Sequence, residues 1–382
     1  MAHPHVIGAV QPDGYVYERA PMIVYWELTT ACALACQHCR AEAQPEPAPG
    51  ELTTEQALGV LDQIADFAKP PDDSEGASSG REPIPHLVMT GGDPLRRPDL
   101  NLLISEAGKR GIGVSVAPAV TPLLTRGRLA ELRELGVQTI SLSLDGSSFK
   151  LHDGVRQVVG TFDATLIALN DAAAVGMPVQ INTLVTADTI DDLPAIYELL
   201  TAHTLMTWSL FFLISTGRGR GLREPSPGDT ERLMRWLLET QEDAPFGIRT
   251  TEAPHYRRVA AMAHERRGLT AGEIEALPLA RSFGVRDGNG IVFISHRGEL
   301  APSGFMSLTV GSVLERGLVI TYRMHPLMRA LREPTKFKGR CGECEYNLWC
   351  GGSRARAFAH TGNPLETDPL CAYHPGSRAV SE

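Results

Sequence analysis

Seven cysteines dominate the chemistry that this 382-residue chain could perform, and they fall into two groups. Cys32, Cys36 and Cys39 stand in TTACALACQHCR at C-x3-C-x2-C spacing. Cys341, Cys344 and Cys350 follow C-x2-C-x5-C spacing, with Cys371 farther on, and no cysteine lies between Cys39 and Cys341. Cysteine used as a small core hydrophobe would be scattered. Clustering in a chain without a secretory signal points to metal or catalysis rather than to disulfides. Three thiolates can hold three irons of a cubane and leave the fourth with open positions, where an amine and a carboxylate can chelate. Four thiolates close a [4Fe-4S] cluster, or equally a tetrahedral zinc site. Zinc is an alternative for the first group too.

These groups need elements to position them. From Met22 to about Asp243 a short apolar run, a polar loop and an amphipathic helix recur. The strands expected are Ile23–Leu28, His86–Met89, Gly113–Val116, Thr139–Leu144, Val179–Val185 and Trp208–Ile214. The helices expected are Thr54–Phe67, Asp99–Arg110, Leu124–Leu135, Asp163–Val175, Asp192–Leu200 and Asp229–Thr240. Leu58, Leu61, Ile64 and Ala65 show the helical period, and Thr53 to Gln56 reads as a capping box. Continuous apolar strands alternating with helices imply a parallel sheet covered on both faces. Six units suit a partial (β/α)6 barrel of the TIM type, with an open doubly wound sheet as the alternative. In both, ligands gather at the C-terminal ends of the strands.

Residues 1–21 read as an N-terminal extension, 22–245 as the barrel, and 246–382 as a bridging segment and C-terminal domain. Pro70 to Pro85 has the composition of a flexible surface loop. Phe246 to Gly290 looks irregular, with a helix around Arg257–Arg267, and Ile291–Ile294 reads as a strand opening the C-terminal domain. A formal charge of −9 argues against a nucleic-acid partner. The longest apolar stretch, Leu205 to Ile214, is broken by Thr207 and Ser209 and is too short to span a membrane. The expectation is a soluble, cytoplasmic protein. His3 and His5 are read as terminal histidines rather than haem ligands.

The cysteine loop directly follows the first strand, and Thr90-Gly91-Gly92-Asp93-Pro94 ends the second. SLSLDG on the fourth is followed by HDGVR. With these motifs in this order the chain resembles the radical S-adenosylmethionine (SAM) superfamily. The resemblance implies that Cys32, Cys36 and Cys39 hold a [4Fe-4S] cluster to which SAM binds, and that an electron entering the sulfonium breaks a C–S bond. It places His38 where the family usually has an aromatic ring beside the adenine. It assigns Gly91, Gly92, Asp93 and Pro94 to the methionyl amine, with Asp in place of the family's usual Glu. Ser143 and Arg156 would contact the SAM carboxylate. Asn182, polar in an apolar strand, either satisfies a core hydrogen bond or lines the SAM pocket, and Asp145 is unassigned.

The second cysteine group resembles the auxiliary-cluster domain called SPASM or twitch. Ser303 in APSGF stands where related sequences can have a further cysteine, so one auxiliary [4Fe-4S] cluster is expected. An electron donor such as flavodoxin or ferredoxin is implied. YWELTTAC, WSLFFLISTGRGRG, TTEAPHYRR and CGECEYNLWCGGSRARAFAHTGN extend the resemblance to the branch of haem d1 and alternative haem biosynthesis, which modifies acidic side chains of iron tetrapyrroles. Arg218, Arg220, Arg223, His255 to Arg258, Arg354 and Arg356 are candidates for holding such acids. A ribosomally made peptide is the alternative substrate, made less favourable by the 31 residues preceding Cys32. A zinc-stabilised, non-enzymatic binding protein is the third reading. No general acid or base is identified.

Overall fold

The computed structural model describes residues 16–69 and 83–376. Most of the N-terminal extension, with His3 and His5, and most of the Pro70–Pro85 loop lie outside the described residues. Seven strands run in parallel order: β1 (Ile23–Glu27), β2 (His86–Thr90), β3 (Val114–Val116), β4 (Val137–Ser143), β5 (Val179–Val185), β6 (Thr207–Phe212) and β7 (Gly247–Thr251). On the other flank of β1 the sheet continues through β9 (Gly290–Ile294), β10 (Glu299–Ala301) and β11 (Gly311–Ser312), while β8 (Arg286–Asp287) pairs with β9. β9 is parallel to β1, and β10 turns back antiparallel.

Helices cover the outside of this sheet: α1 (Thr54–Ala65), α2 (Leu100–Lys109), α3 (Arg126–Glu134), α4 (Phe149–Arg156), α5 (Thr161–Ala174), α6 (Leu193–Thr201), α7 (Pro227–Asp243) and α8 (His255–Arg266). The capping box of α1 forms, with Gln56 N–H donating to Thr53 Oγ1 and Gln56 Oε1 accepting from Thr53 N–H. Alternate strand residues pack against the helices, among them Trp26, Met89, Val116, Leu142, Ile181 and Trp208, all fully buried. The opposite face is polar at the C-terminal ends, where Ser143 registers with Asn182 and Asn182 with Ser209.

Several expectations shift. α5 starts at Thr161 rather than Asp163, and α7 at Pro227, capped by Ser226, rather than Asp229. Arg156 is the last residue of α4. That helix is only eight residues long and contains Gly154, so no helical period stands out. β7 lies in the stretch read as irregular, because GIRTT is a short, polar edge strand. No helix among the described residues is long and apolar enough to cross a membrane.

Candidate functional site

The chain leaving β1 is fastened before it reaches the first cysteine. Glu51 Oε1 accepts from Thr29 Oγ1 and Thr30 N–H, both at 2.9 Å. Cys32 N–H donates to the Gln44 carbonyl and Gln37 N–H to the Val155 carbonyl, which close the loop at two points. Arg218, reaching in from the turn after β6, donates from Nε to the Cys36 carbonyl at 2.8 Å and from Nη1 to the Ala43 carbonyl at 3.0 Å. Gly217 (φ +52) makes that approach feasible, since a Cβ there would lie 2.6 Å from the carbonyl oxygens of Cys39 and Arg40. Cys32 and Cys36 are buried with Leu34 and Ala43.

The Gly91-Gly92 pair packs directly on this segment. Gly92 N–H donates to the Thr29 carbonyl and Asp93 N–H to the Ala31 carbonyl. A Cβ on Gly92 would stand 2.5 Å from the carbonyl oxygens of both Thr30 and Ala31. The glycines are therefore required by backbone packing. The Asp93 carboxylate is taken up by backbone and a hydroxyl: it accepts from Leu95 N–H, Ala119 N–H and Thr121 Oγ1, and it is wholly buried. Burial raises its pKa. Neither Asp93 nor Pro94 lines the cavity described next.

A cavity of about 230 Å³ opens above the strand ends. It is lined by the three cysteines, His38, Gly91 and Gly92 on one side and by Ser143, Arg156 and Asn182 on the other. Arg156 Nη1 lies 3.5 Å from Cys36 Sγ, and Nη2 pairs with Asp145. Asp145 Oδ1 accepts from Leu184 N–H at 2.7 Å, and its own N–H donates to His152 Nδ1 at 3.0 Å. Burial alone would raise the Asp145 carboxyl, but Arg156 holds it below the usual range. Burial pushes His38 and His152 down to about 4, so both rings are neutral at physiological pH. Asn182 Oδ1 accepts from Gln180 Nε2 at 2.7 Å, a part-buried bond, while the residue lines the cavity.

An ion-pair group forms around Arg40, one of the residues lining the cavity. Glu27, inside YWELTTAC, accepts from Arg40 at 2.9 Å and meets His296 Nδ1 at 2.6 Å. The only sequence signal was a carboxylate at the end of an apolar strand.

The four C-terminal cysteines also converge, lining one enclosure with Arg258, Gly352 and Tyr373. Cys341 Sγ accepts from Asp368 N–H and Arg354 Nη2, both at 3.4 Å, and Cys350 Sγ accepts from Gly352 N–H at 3.4 Å. Gly352 (φ +66) admits this packing, because a Cβ would fall 2.6 Å from Arg354 Nη2. Burial pushes the thiols of Cys32 and Cys344 up to about 11 and that of Cys350 up to about 12. A metal group's positive charge is what would make such buried sulfurs thiolates. Among the described residues no three of these side chains meet at single-ion spacing. Three thiols line the first cavity and four the second, the donor counts of a cubane with one open iron and of a fully ligated one.

Most arginines considered for substrate binding are committed elsewhere. Arg354 is wholly buried and donates to the Pro364, Glu366 and Gly352 carbonyls as well as to Cys341. Arg356, equally buried, reaches the carbonyls of Glu252 and Leu213. Arg257 donates to the Val285 carbonyl, Arg258 grips Glu231 with both terminal nitrogens, and Arg223 pairs with Asp188 at the surface. Residue type alone does not tell a guanidinium spent on carbonyls from one offered to a ligand.

The comparisons agree with this geometry. The radical SAM superfamily model matches residues 26–200. The AdoMet-dependent heme synthase of Methanosarcina barkeri is 34% identical over 94% of this chain and 99% of its own length. The enzyme of that name from Oleidesulfovibrio alaskensis is 33% identical over 94% of this chain and 89% of its own. In fold, the chain matches Streptococcus suis SuiB bound to S-adenosylmethionine with a TM-score of 0.69, at 16% identity, covering 93% of this chain and 78% of that one. Radical SAM enzymes use SAM and a [4Fe-4S] cluster, and SPASM-type members carry auxiliary clusters. A thiol-lined cavity at the strand ends, a second buried cysteine enclosure and an end-to-end match to a heme synthase lead to one assignment: the chain is an enzyme and belongs to the radical SAM superfamily.

Proposed function

We propose that this enzyme modifies the acidic side chains of an iron tetrapyrrole precursor by hydrogen abstraction, with oxidative loss of a carboxyl group as the reaction type: the hydrogen leaves on 5′-deoxyadenosine, the carboxyl as carbon dioxide, and the remaining electron passes to a one-electron acceptor. The observation that carries this reading is the likeness to AdoMet-dependent heme synthase over 94% of the chain and 99% of the relative. In this reading the barrel spans 22–245 and the segment 246–382 carries the auxiliary cluster. The enzyme works in the cytoplasm with a flavodoxin or ferredoxin as electron donor. Membership of an enzyme family supersedes the non-enzymatic zinc alternative.

Cys32, Cys36 and Cys39 would hold the SAM-binding cluster, and Cys341, Cys344, Cys350 and Cys371 the auxiliary one. When bound, the first cluster and SAM supply a primary alkyl radical able to take hydrogen from unactivated carbon. The chain's residues bind, orient and exclude water. Gly91 and Gly92 offer backbone along one wall, Ser143 and Asn182 offer polar side chains on the other, and the neutral His38 ring forms part of the rim. Arg156, held beside Cys36 and paired to Asp145, would be a fixed cation for the SAM carboxylate. Phe211 and Phe305, their rings 6.3 Å apart, close the apolar side. Arg218 and Glu51 hold the cysteine loop in place.

Anaerobically reconstituted, dithionite-reduced enzyme should release 5′-deoxyadenosine in proportion to modified product when given an iron coproporphyrin-type haem or a sirohaem derivative. Release of 5′-deoxyadenosine with no tetrapyrrole bound or altered would defeat the substrate assignment and favour a peptide.

A further inference from the structure

At the C-terminal end of β7, Glu252 adopts φ +58, a left-handed conformation that a non-glycine residue takes only when its surroundings impose it. Its side chain meets that of Asp287 on β8, whose charge disfavours the ionised form of Glu252. Two carboxyl groups brought together resist ionising both at once. Asp287 Oδ2 is already occupied by the N–H groups of Arg354 and Ala355, both at 3.0 Å. Burial first, and then the charge of Asp287, raise the Glu252 pKa well above the usual carboxylate range.

Hydrogen bonds run from this pair to a cysteine of the second group by two routes. Ser353 Oγ donates to Glu252 Oε2 at 2.5 Å, Ser353 N–H donates to Asp368 Oδ2 at 2.8 Å, and Asp368 N–H reaches Cys341 Sγ at 3.4 Å. By the other route Arg354 N–H donates to Asp287, and the Nη2 of the same residue reaches Cys341 Sγ. Both end on one sulfur. From these connections we propose that Glu252 and Asp287 form a one-proton site coupled to the auxiliary cluster, so that reduction of the cluster draws a proton onto the carboxyl pair. The inference rests on the four cysteines holding that cluster.

The balance is one electron from an external one-electron donor to the cluster and one proton from solvent to the pair. Added negative charge at the cluster raises the pair's proton affinity. Between its proton affinities in the oxidised and reduced states, the midpoint potential therefore falls as pH rises. The other ionisable groups packed around the pair stay in one form near neutrality. Burial pushes His255 down to about 4 and raises Tyr25. Arg356 holds Asp368 low against its burial. Burial lowers Arg249, and burial together with the neighbouring charges of Arg354 and Arg257 lowers Arg286, next to Asp287, to about 9, so the slope is read between pH 6 and pH 8. Glu252 and Asp287 are positioning residues in this account, since neither touches a cysteine.

The test is a redox titration of reconstituted enzyme from pH 6 to pH 8, followed by electron paramagnetic resonance. A Cys32→Ala/Cys36→Ala/Cys39→Ala background assigns the signal of the second cluster. One proton per electron corresponds to about 59 mV per pH unit at the limit. The wild type should show a falling potential, and Glu252→Gln and Asp287→Asn should each flatten it while keeping iron and sulfide at wild-type levels. The wild-type slope is itself diagnostic should a variant fail to fold. An intact cluster with a pH-independent potential, or an undiminished slope in Glu252→Gln, would overturn the inference alone. Iron and sulfide missing from the three-alanine background would overturn the cluster assignment and this inference together.

Discussion

Arg218 Nε donates to the carbonyl of Cys36 at 2.8 Å, joining the turn after β6 to the cysteine loop after β1. With the second bond from Nη1 to Ala43, one guanidinium fixes the loop from the far side of the barrel. Arg218→Ala should lower stability by about 2–4 kcal/mol, as expected for two charge-assisted bonds with a partly buried acceptor. It should also reduce iron retention at the first site. Denaturant titration and iron counted per chain check both; wild-type retention would show that the loop holds itself.

Gly92→Ala should be among the most damaging small changes in the chain. The added methyl would lie 2.5 Å from two backbone carbonyl oxygens, and neither can move without shifting the approach to Cys32. A loss of at least about 2 kcal/mol is expected from overpacking of this kind, together with failure to assemble the first cluster. Normal iron content and thermal stability would contradict that.

Alanine at Cys32, Cys36 or Cys39 should abolish 5′-deoxyadenosine formation. Cys341→Ala should leave residual cleavage uncoupled from product, because its sulfur belongs to a separate enclosure. Assays of deoxyadenosine against product separate the two groups, and full turnover in any of the first three variants would dismiss the site.

Acid should act through Glu27. Its burial favours the neutral form, but Arg40 and His296 hold the folded carboxyl below the ordinary 4.5. The unfolded chain thus takes up the proton first as pH drops. The stabilisation is fully present above 4.5 and fades as pH falls through the lower folded value. Glu27→Gln should cost about 3–5 kcal/mol at pH 7, the range for breaking a buried pair, and should lose less than the wild type between pH 5 and pH 3. Parallel denaturation curves in that interval would rule out the pair as a source of stability.

Arg356→Ala should lower stability and leave the Michaelis constant for any tetrapyrrole substrate nearly unchanged. Its nitrogens serve the carbonyls of Glu252 and Leu213, deep inside the protein. A selective rise in that constant, with stability intact, would return this arginine to the substrate site.

The fold was readable wherever spacing carries the information. Thiols at C-x3-C-x2-C after an apolar run placed the first group at the end of β1, and the recurring apolar runs located six of the seven strands from β1 to β7. β7 escaped because five polar-leaning residues at a sheet edge have no apolar alternation. At the site, residue types were legible and directions were not. Asp93 belongs to a motif read as facing a ligand, yet its carboxylate ties Leu95 to Ala119 and Thr121. Arg354 and Arg356, candidates by residue type for holding substrate acids, are wholly buried braces. Glu252 and Asp287, separate in the chain, carry no local mark that their side chains would meet.

The parallel pairing of β9 with β1 has a consequence for how the molecule can be divided. The strand that delivers Cys32 is enclosed by a ladder on either flank, one supplied by β2 and the other by residues beyond 289. Ending the chain at residue 245 would strip one of those ladders and bare four consecutive residues of backbone, Ile23 to Trp26, beside the cluster loop. Such a fragment would expose a sticky seam for self-association. The catalytic barrel and the segment carrying the distal cysteines are in this sense stitched at their most chemically sensitive strand, and are expected to be inherited, expressed and lost as one piece.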